Sequence, residues 1–236
     1  MTIPSAAMVF AAGFGTRMGD LTRDRPKPLL PIGNETLLDH TLDQVADAKI
    51  DRAVVNLHYR GDQIRAHLEP RERPEIAFSD EQPDILETGG GILKALPALG
   101  PGPFATVNAD TVFLGANPFE ILADAWTDDI DALLLLVTIG QTLGYSRAGD
   151  FFLDTATGVP RRRGDSDAAP FVYAGAQIIR PQAFEDAPSG AFSLNVIWNQ
   201  LLATGRLRAA VYPDRWVDVG TPEGLELANQ ALTQSV

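Results

Sequence analysis

The chain has 236 residues, 45% of them hydrophobic, enough to bury a sizeable core as one unit. Its formal net charge of -12 repels a phosphate backbone, which argues against nucleic acid or an anionic membrane as the main partner, so any phosphate it binds is held locally. The absence of cysteine excludes disulfides, thiolate nucleophiles and Cys-ligated metals, no apolar run approaches the roughly 20 residues of a membrane span, and the start MTIPSAAMVF carries no basic, export-type segment, which makes the cytoplasm the expected compartment.

Residues 6–10 read as an apolar strand that runs straight into AAGFGTRM. Gly13 and Gly15 can take positive φ and leave no Cβ in the way, so successive backbone N–H groups can turn toward an anion. Thr16 adds a hydroxyl donor, and Arg17 adds a planar fork suited to paired phosphate oxygens. Glycines after a strand also make ordinary tight turns, and two other phosphate motifs do not fit: no lysine follows Gly19 at P-loop spacing, and the GFG run does not meet GxGxxG. Lys27 strengthens the phosphate reading. The chain holds sixteen arginines and only three lysines, yet keeps a lysine here, a compact point charge between Pro26 and Pro28, which stiffen the segment.

A helix with Leu38, Leu42, Val45 and Ala46 on one face follows, then a strand at 53–56, which completes a βαβ unit and so a parallel sheet. Residues 63–68 form a short helix, 75–79 a third strand, 90–96 a helix and 104–108 a fourth strand. Asn117 caps a helix at 118–126 with Pro118 at its first position, and 132–137 is a buried strand. From 141 to 167 the pattern weakens into glycines, charges and short strands such as 150–154, an excursion expected to cover a substrate. Its run Arg161, Arg162 and Arg163 reads as a solvated hairpin. A strand at 171–180, a helix at 193–204 capped by Ser193, strands at 208–212 and 216–219 and a helix at 222–232 close the chain. The expected fold is α/β, a Rossmann-like, doubly wound, mixed but mainly parallel sheet with ligand loops at the carboxyl ends of its strands.

Two aspartates stand where strands end, Asp110 in ATVNAD and Asp218 in RWVDVGTPEG. Beside a polyphosphate, two carboxylates make an oxygen-rich site for Mg²⁺, which takes few protein ligands and keeps water and phosphate oxygens. Each alone also has a structural reading, Asp110 as an Asx-turn residue and Asp218 as a brace for the turn before Thr221. The glycines of LETGGG, residues 86–91, would let a flat ligand press against backbone at a helix start. Gln82 offers both a donor and an acceptor, to a base edge or to solvent.

In combination, AAGFGTRM with PKPLLPIGN, LETGGG, VNAD, FVYAGAQII and WVDVGTPEGL resemble the sugar-1-phosphate nucleotidyltransferases along essentially the whole chain. The short length is similar to the compact branch of that family, which includes N-acetylmuramate-1-phosphate uridylyltransferases and small mannose- or glucose-1-phosphate enzymes. The resemblance implies Mg²⁺-dependent transfer of a nucleotidyl group from a nucleoside triphosphate, UTP favoured, to N-acetylmuramate-1-phosphate or a hexose-1-phosphate, with release of pyrophosphate. A mannose-1-phosphate guanylyltransferase is the alternative. It also implies one domain over 1–236, with a nucleotide-binding half at 1–137 and a sugar-phosphate half at 138–236, as a monomer or homodimer.

By the same resemblance, Ala11, Ala12, Gly13, Gly15, Thr16 and Arg17 wrap base and phosphates, and Arg17 and Lys27 neutralise the reacting phosphates. Gln82, Thr88 and Gly89 lie by the base; Asn108, Gly149, Tyr173 and Gly175 contact the sugar; Asp110 and Asp218 hold Mg²⁺. The chain departs from the pattern at Gly19 and Asp20, where many relatives have arginine or tyrosine and then proline. It also lacks the hairpin Glu-Lys pair of larger relatives, leaving one of Arg161, Arg162 and Arg163 as the substitute. A glycosyltransferase would want an Asp-x-Asp motif, and VNADTVF supplies one aspartate. A non-catalytic nucleotide-sugar-binding subunit would not need Asp110, Asp218 and Lys27 together.

Overall fold

The computed structural model describes residues 3–234; Met1, Thr2, Ser235 and Val236 of the expected 1–236 unit lie outside the described residues. β1 (Ala6–Phe10) is apolar because both its faces are covered: residues 6 to 9 are all buried, and the strand pairs in parallel with β4 (Arg52–Leu57) on one side and β6 (Phe104–Asn108) on the other. β4 pairs in parallel with β5 (Glu75–Asp80), so the chain steps outward from β1 in one direction and then returns to place β6 on the other. That reversal opens a crevice at the carboxyl ends of β1 and β6.

The sheet continues through β12 (Phe171–Ile179), antiparallel to both β6 and β8 (Ala132–Thr138), with β13 (Leu207–Val211) parallel to β8. The hairpin of β10 (Phe151–Asp154) and β11 (Val159–Arg162) joins β12 where Phe151 meets Phe171. The register of β12 against β8 shifts between Tyr173 and Gln177, and Gly175 sits in that irregularity at φ +84°. A Cβ there would lie 3.0 Å from Thr111 Cγ2 and 3.1 Å from Asn108 Nδ2.

Helices cover both faces. α1 (Leu37–Asp47), α2 (Gly61–Leu68) and α4 (Pro118–Ala125) bury Leu38, Leu42, Ile64, Phe119 and Leu122 on one side, while α3 (Glu87–Leu99) and α5 (Asn195–Ala203) bury Ile92, Ala95, Ile197 and Leu201 on the other. Thr36 and Asp39 form a reciprocal capping box at the start of α1, and Asn117 caps α4 as its sequence indicates, its Oδ1 accepting from Phe119 N at 2.9 Å. α5 starts two residues after Ser193, whose Oγ accepts from its first N–H, Asn195 N, at 3.3 Å, as the expected cap requires. Leu194 N donates to Thr88 Oγ1 at 2.9 Å, which ties the segment before α5 to α3.

A second, smaller layer was not evident from hydropathy. β7 (Thr111–Leu114) and β14 (Arg215–Asp218) pair antiparallel, and β14 pairs in parallel with β9 (Thr142–Leu143). With a 3-10 turn at Thr16–Thr22, the hairpin of β2 (Pro31–Ile32) and β3 (Glu35–Thr36), and α6 (Pro222–Gln234), it encloses a core of Met18, Leu30, Ile32, Val112, Val217 and Val219. No helix among the described residues is long and apolar enough to cross a membrane.

Candidate active site

The small sheet explains how two aspartates 108 positions apart come to one place. Antiparallel pairing sets Asp218 opposite Thr111, the residue after Asp110, and Val219 N donates to the Asp110 carbonyl at 3.1 Å. The charges of the two carboxylates are felt by one another. Burial pushes the Asp218 carboxyl above its ordinary value, the Asp110 charge pushes it further, and Arg147, Lys27 and Arg17 pull it back.

Lys27 answers this charge. A 3-10 turn at Lys27–Leu29 follows the extended Pro26, and the side chain, 7% exposed, brings Nζ to 2.7 Å from Asp110 Oδ2. Gly15 makes the approach possible: at φ +65° its missing Cβ would stand 3.0 Å from Lys27 Cβ and 3.1 Å from Thr22 Cγ2. Gly13, by contrast, has open space around it and is not in the positive-φ region. Arg147 Nη2 lies 3.3 Å from Asp218 Oδ2, and a Cβ on Gly220 would sit 2.9 Å from Asp218 Oδ1 and 3.0 Å from Arg17 Nη1. Asp20 turns outward, exposed and paired with Arg23, so it does not oppose a phosphate at Lys27.

Two cavities meet at this cluster. The first, of about 420 Å³, is lined by residues 10–17 together with Lys27, Asn56, Glu81, Glu87, Thr88, Asn108 and Asp110. The second, of about 340 Å³, is lined by Arg147, Asp150, Phe151, Arg162, Tyr173, Ser193, Asn195, Trp198 and Asp218. Phe10, Arg17, Thr88, Asn108 and Asp110 face both. Of the residues singled out in the sequence, Ala11, Ala12, Gly13, Gly15, Thr16, Arg17, Lys27, Thr88, Asn108, Asp110, Tyr173 and Asp218 therefore line one cavity or both.

Gln82, Gly89, Gly149 and Gly175 do not line them. Gln82 is exposed. Gly89 is buried behind the first cavity, where a Cβ would stand 2.3 Å from the Phe192 ring, and its N–H donates to the Phe192 carbonyl at 2.8 Å. Gly90 and Gly91 are equally closed, against the Gly190 carbonyl and Glu81 Oε1, so the three glycines serve packing of α3 rather than an open backbone face. Gly149, at φ +79°, turns the chain into β10 against the Ala169 carbonyl, and its own carbonyl accepts from Arg163 Nε at 3.1 Å. Gly175 lies beneath Asn108.

The sequence reading missed Asn56, Glu81 and Arg147. Asn56 Oδ1 accepts from Ala11 N at 2.7 Å and Ala12 N at 3.3 Å, and its Nδ2 donates to Glu81 Oε1 at 2.7 Å. Glu81, fully buried, accepts from Leu86 N with its other oxygen at 2.8 Å. The first two N–H groups of the glycine loop are thus committed to the protein, and the chain Ala11–Asn56–Glu81–Leu86 fixes the loop relative to α3. A buried polar residue near the carboxyl end of an apolar strand was the available signal for Asn56, whereas Glu81 follows β5 and carries no such mark. Phe14, half exposed, stands edge-on to His58 at 5.2 Å at the rim of the first cavity.

The donor set suits a hard divalent cation: Asp110 and Asp218 offer only carboxylate oxygens, and Lys27 and Arg147 each occupy a single oxygen of their aspartate. Among the described residues no group of three or more acidic, histidine or cysteine side chains forms a complete cage, so substrate oxygens and water would fill the remaining positions.

The MobA-like NTP transferase domain family matches residues 7–211. The N-acetylmuramate alpha-1-phosphate uridylyltransferase of Caulobacter vibrioides is 40% identical over 98% of this chain and 98% of its own length, and its counterpart from Neisseria meningitidis is 33% identical over 91% and 93%. Among solved structures, a UDP-glucose pyrophosphorylase complexed with UDP-glucose superposes with a TM-score of 0.81 at 15% identity, covering 98% of this chain and 99% of that one. HddC from Yersinia pseudotuberculosis complexed with GMP-PN gives 0.77 at 22% identity, over 96% and 99%. These structural likenesses concern the fold.

Proposed function

The chain belongs to the MobA-like NTP transferase domain family, and from that premise we propose that it joins UTP and N-acetylmuramate-1-phosphate into a UDP-sugar with release of pyrophosphate. The observation that carries this reading is the meeting of two cavities at one charged junction, where Lys27 holds Asp110 and Asp218 stands beside Arg17 and Arg147. A nucleotide in the first cavity and a sugar phosphate in the second would bring their phosphates together there. The two near-full-length relatives, both uridylyltransferases for N-acetylmuramate-1-phosphate, favour that pair of substrates. We read residues 1–137 as the nucleotide-binding half and 138–236 as the sugar-phosphate half of one unit.

An oxygen of the sugar-1-phosphate attacks the α-phosphorus in line; a new P–O bond forms as the bond to the β-phosphate oxygen breaks, and pyrophosphate leaves with the electron pair. The protein forms no covalent bond. Lys27, buried and preorganised, and Arg17, shared by both cavities, stabilise charge that builds on the phosphoryl oxygens. Asp110 and Asp218 would hold Mg²⁺, which when bound supplies charge neutralisation and alignment of the phosphate oxygens. Asn56 and Glu81 hold the glycine loop in place for the nucleotide.

The test is pyrophosphate release with Mg²⁺ across the four common nucleoside triphosphates and a panel of sugar-1-phosphates. UTP with N-acetylmuramate-1-phosphate is expected to be fastest. GTP with mannose-1-phosphate as the preferred pair would replace this substrate reading by a guanylyltransferase, and no release with any pair would overturn the activity.

A further inference from the structure

Among the described residues, four basic side chains line the paired cavities: Arg17, Lys27, Arg147 and Arg162. Three gather at the aspartates, Lys27 on Asp110, Arg147 on Asp218, and Arg17 beside Gly220 and Asp218. Arg162 is placed differently. Strand alternation along β11 sends Arg161 over the Phe152 ring at 4.2 Å and Arg162 to the other face, over Phe151 at 4.8 Å and Trp198 at 5.3 Å. Its Nε donates to Asn199 Oδ1 at 3.2 Å and its Nη2 to the Asn195 carbonyl at 3.5 Å. Both acceptors are neutral. The guanidinium is thus oriented by aromatic faces and amide oxygens inside a ligand cavity, hydrogen-bonded to no carboxylate among the described residues and acted on through space by Asp150 of the same cavity, and partial burial makes its charge costly until an anion arrives. Burial accordingly draws its pKa below the ordinary value, and the Asp150 charge pushes it back.

This placement has a consequence for the acceptor, and it rests on the nucleotidyl transfer proposed above. The acceptor phosphate has to reach the Lys27–Asp110–Asp218 junction to react, where three cations already serve it. An anion at Arg162 is then a second one, carried by the sugar itself. We propose that Arg162 recognises a carboxylate on a substituent of the acceptor sugar, such as the lactyl-ether carboxylate of an N-acetylmuramate, and so sets acceptor specificity against sugars that lack an acidic substituent. A planar fork is suited to a carboxylate, and its own fixed contacts limit the side-chain order that binding has to impose.

The experiment compares wild type, Arg162→Gln and Arg162→Lys with saturating UTP, using N-acetylmuramate-1-phosphate and N-acetylglucosamine-1-phosphate. These share ring, acetamide and phosphate and differ in the lactyl ether. KM is read where there is turnover, and Kd by calorimetry where there is none. Arg162→Gln is expected to raise the N-acetylmuramate-1-phosphate value at least about 10-fold while the N-acetylglucosamine-1-phosphate value moves by less than about twofold, with partial recovery in Arg162→Lys. An equal rise for both sugars would assign Arg162 to the phosphate or to the cavity wall and overturn the proposal. No change for either, or a wild type that prefers the sugar without the carboxylate, would overturn it as well. A wild type that neither binds nor converts any sugar-1-phosphate would instead overturn the transfer reaction on which it rests.

Discussion

At the scale of single residues, Lys27 and Asp218 both serve the chemistry, and Asp218 does so against the stability of the protein that holds it. Lys27 is buried against Asp110, so Lys27→Ala removes a transition-state charge and leaves a carboxylate without its partner. Turnover is expected to fall at least about 100-fold in Lys27→Ala, Asp110→Ala and Asp218→Ala, with the circular dichroism of the fold retained. Near-normal kcat in any one of them would remove that residue from the chemistry. Asp218 also carries a pH signature. Its folded pKa is raised, first by burial and then by Asp110, so its ionised form costs stability above that pKa, and the cost is relieved as pH falls through it toward the ordinary value of 3.8. Metal-free Asp218→Asn should therefore melt above wild type at neutral pH, by roughly 2–4 °C per kcal/mol relieved, and the gap should close on acidification in differential scanning calorimetry. With metal bound, proton and cation compete for Asp218, so the acid limb of the activity profile should move to lower pH as Mg²⁺ is raised.

At the scale of elements, the structure turns on how α3 is entered. The N–H groups of Gly89 and Gly90 both donate to the Phe192 carbonyl, Phe192 N donates to the Leu86 carbonyl, and Leu194 N donates to Thr88 Oγ1. This fastens the wall of the second cavity, Ser193 to Asn195, to a helix whose first residues line the first. Gly89→Ala would drive a methyl into the Phe192 ring and carbonyl, and is expected to cost about 1–3 kcal/mol and to raise KM for both substrates, as urea unfolding and steady-state kinetics would show. A Tm equal to wild type would mean that the segment gives way freely. Glu81→Gln tests the buried relay: Glu81 accepts at both oxygens, from Asn56 and Leu86, and a glutamine offers one acceptor and sets a donor against the other donor, a loss of about 1–3 kcal/mol. Much of this scale was legible in the chain. Of the strands of the main sheet, β1, β4, β6 and β8 announce themselves by apolar runs with both faces buried, and Asn117 and Pro118 announce α4. What hydropathy did not disclose was β7, four residues after a turn within VNADTVFL, because its partner β14 lies about a hundred positions away and pairing of that range leaves no local mark. The glycines of LETGGG were legible as a demand for close approach, but the atoms that approach are protein and not ligand. Asn56 and Glu81 carry their meaning only once their strands are side by side.

At the scale of the whole molecule, a chain with a net charge of -12 places four cations around two joined cavities at the carboxyl edge of its sheet. The surrounding negative field disfavours polyanions elsewhere on the surface, so binding of a triphosphate should depend on this one cluster and on a divalent cation. UTP with Mg²⁺ is expected to raise Tm, and Lys27→Ala with Asp218→Ala to abolish that rise. The family and fold were readable from motifs spread along nearly the whole chain, whereas the identity of the acceptor was not, since the residues of the second cavity come from β10, β11, β12, α5 and β14 and meet only in three dimensions. The most direct measurement follows UTP labelled at the α-phosphorus, incubated with Mg²⁺ and N-acetylmuramate-1-phosphate. The label is expected to pass into a UDP-sugar, one pyrophosphate appearing for each, and to remain in UTP with Asp110→Ala. Label that stays in UTP with wild type for every sugar phosphate offered, or that emerges only as UMP, would contradict nucleotidyl transfer.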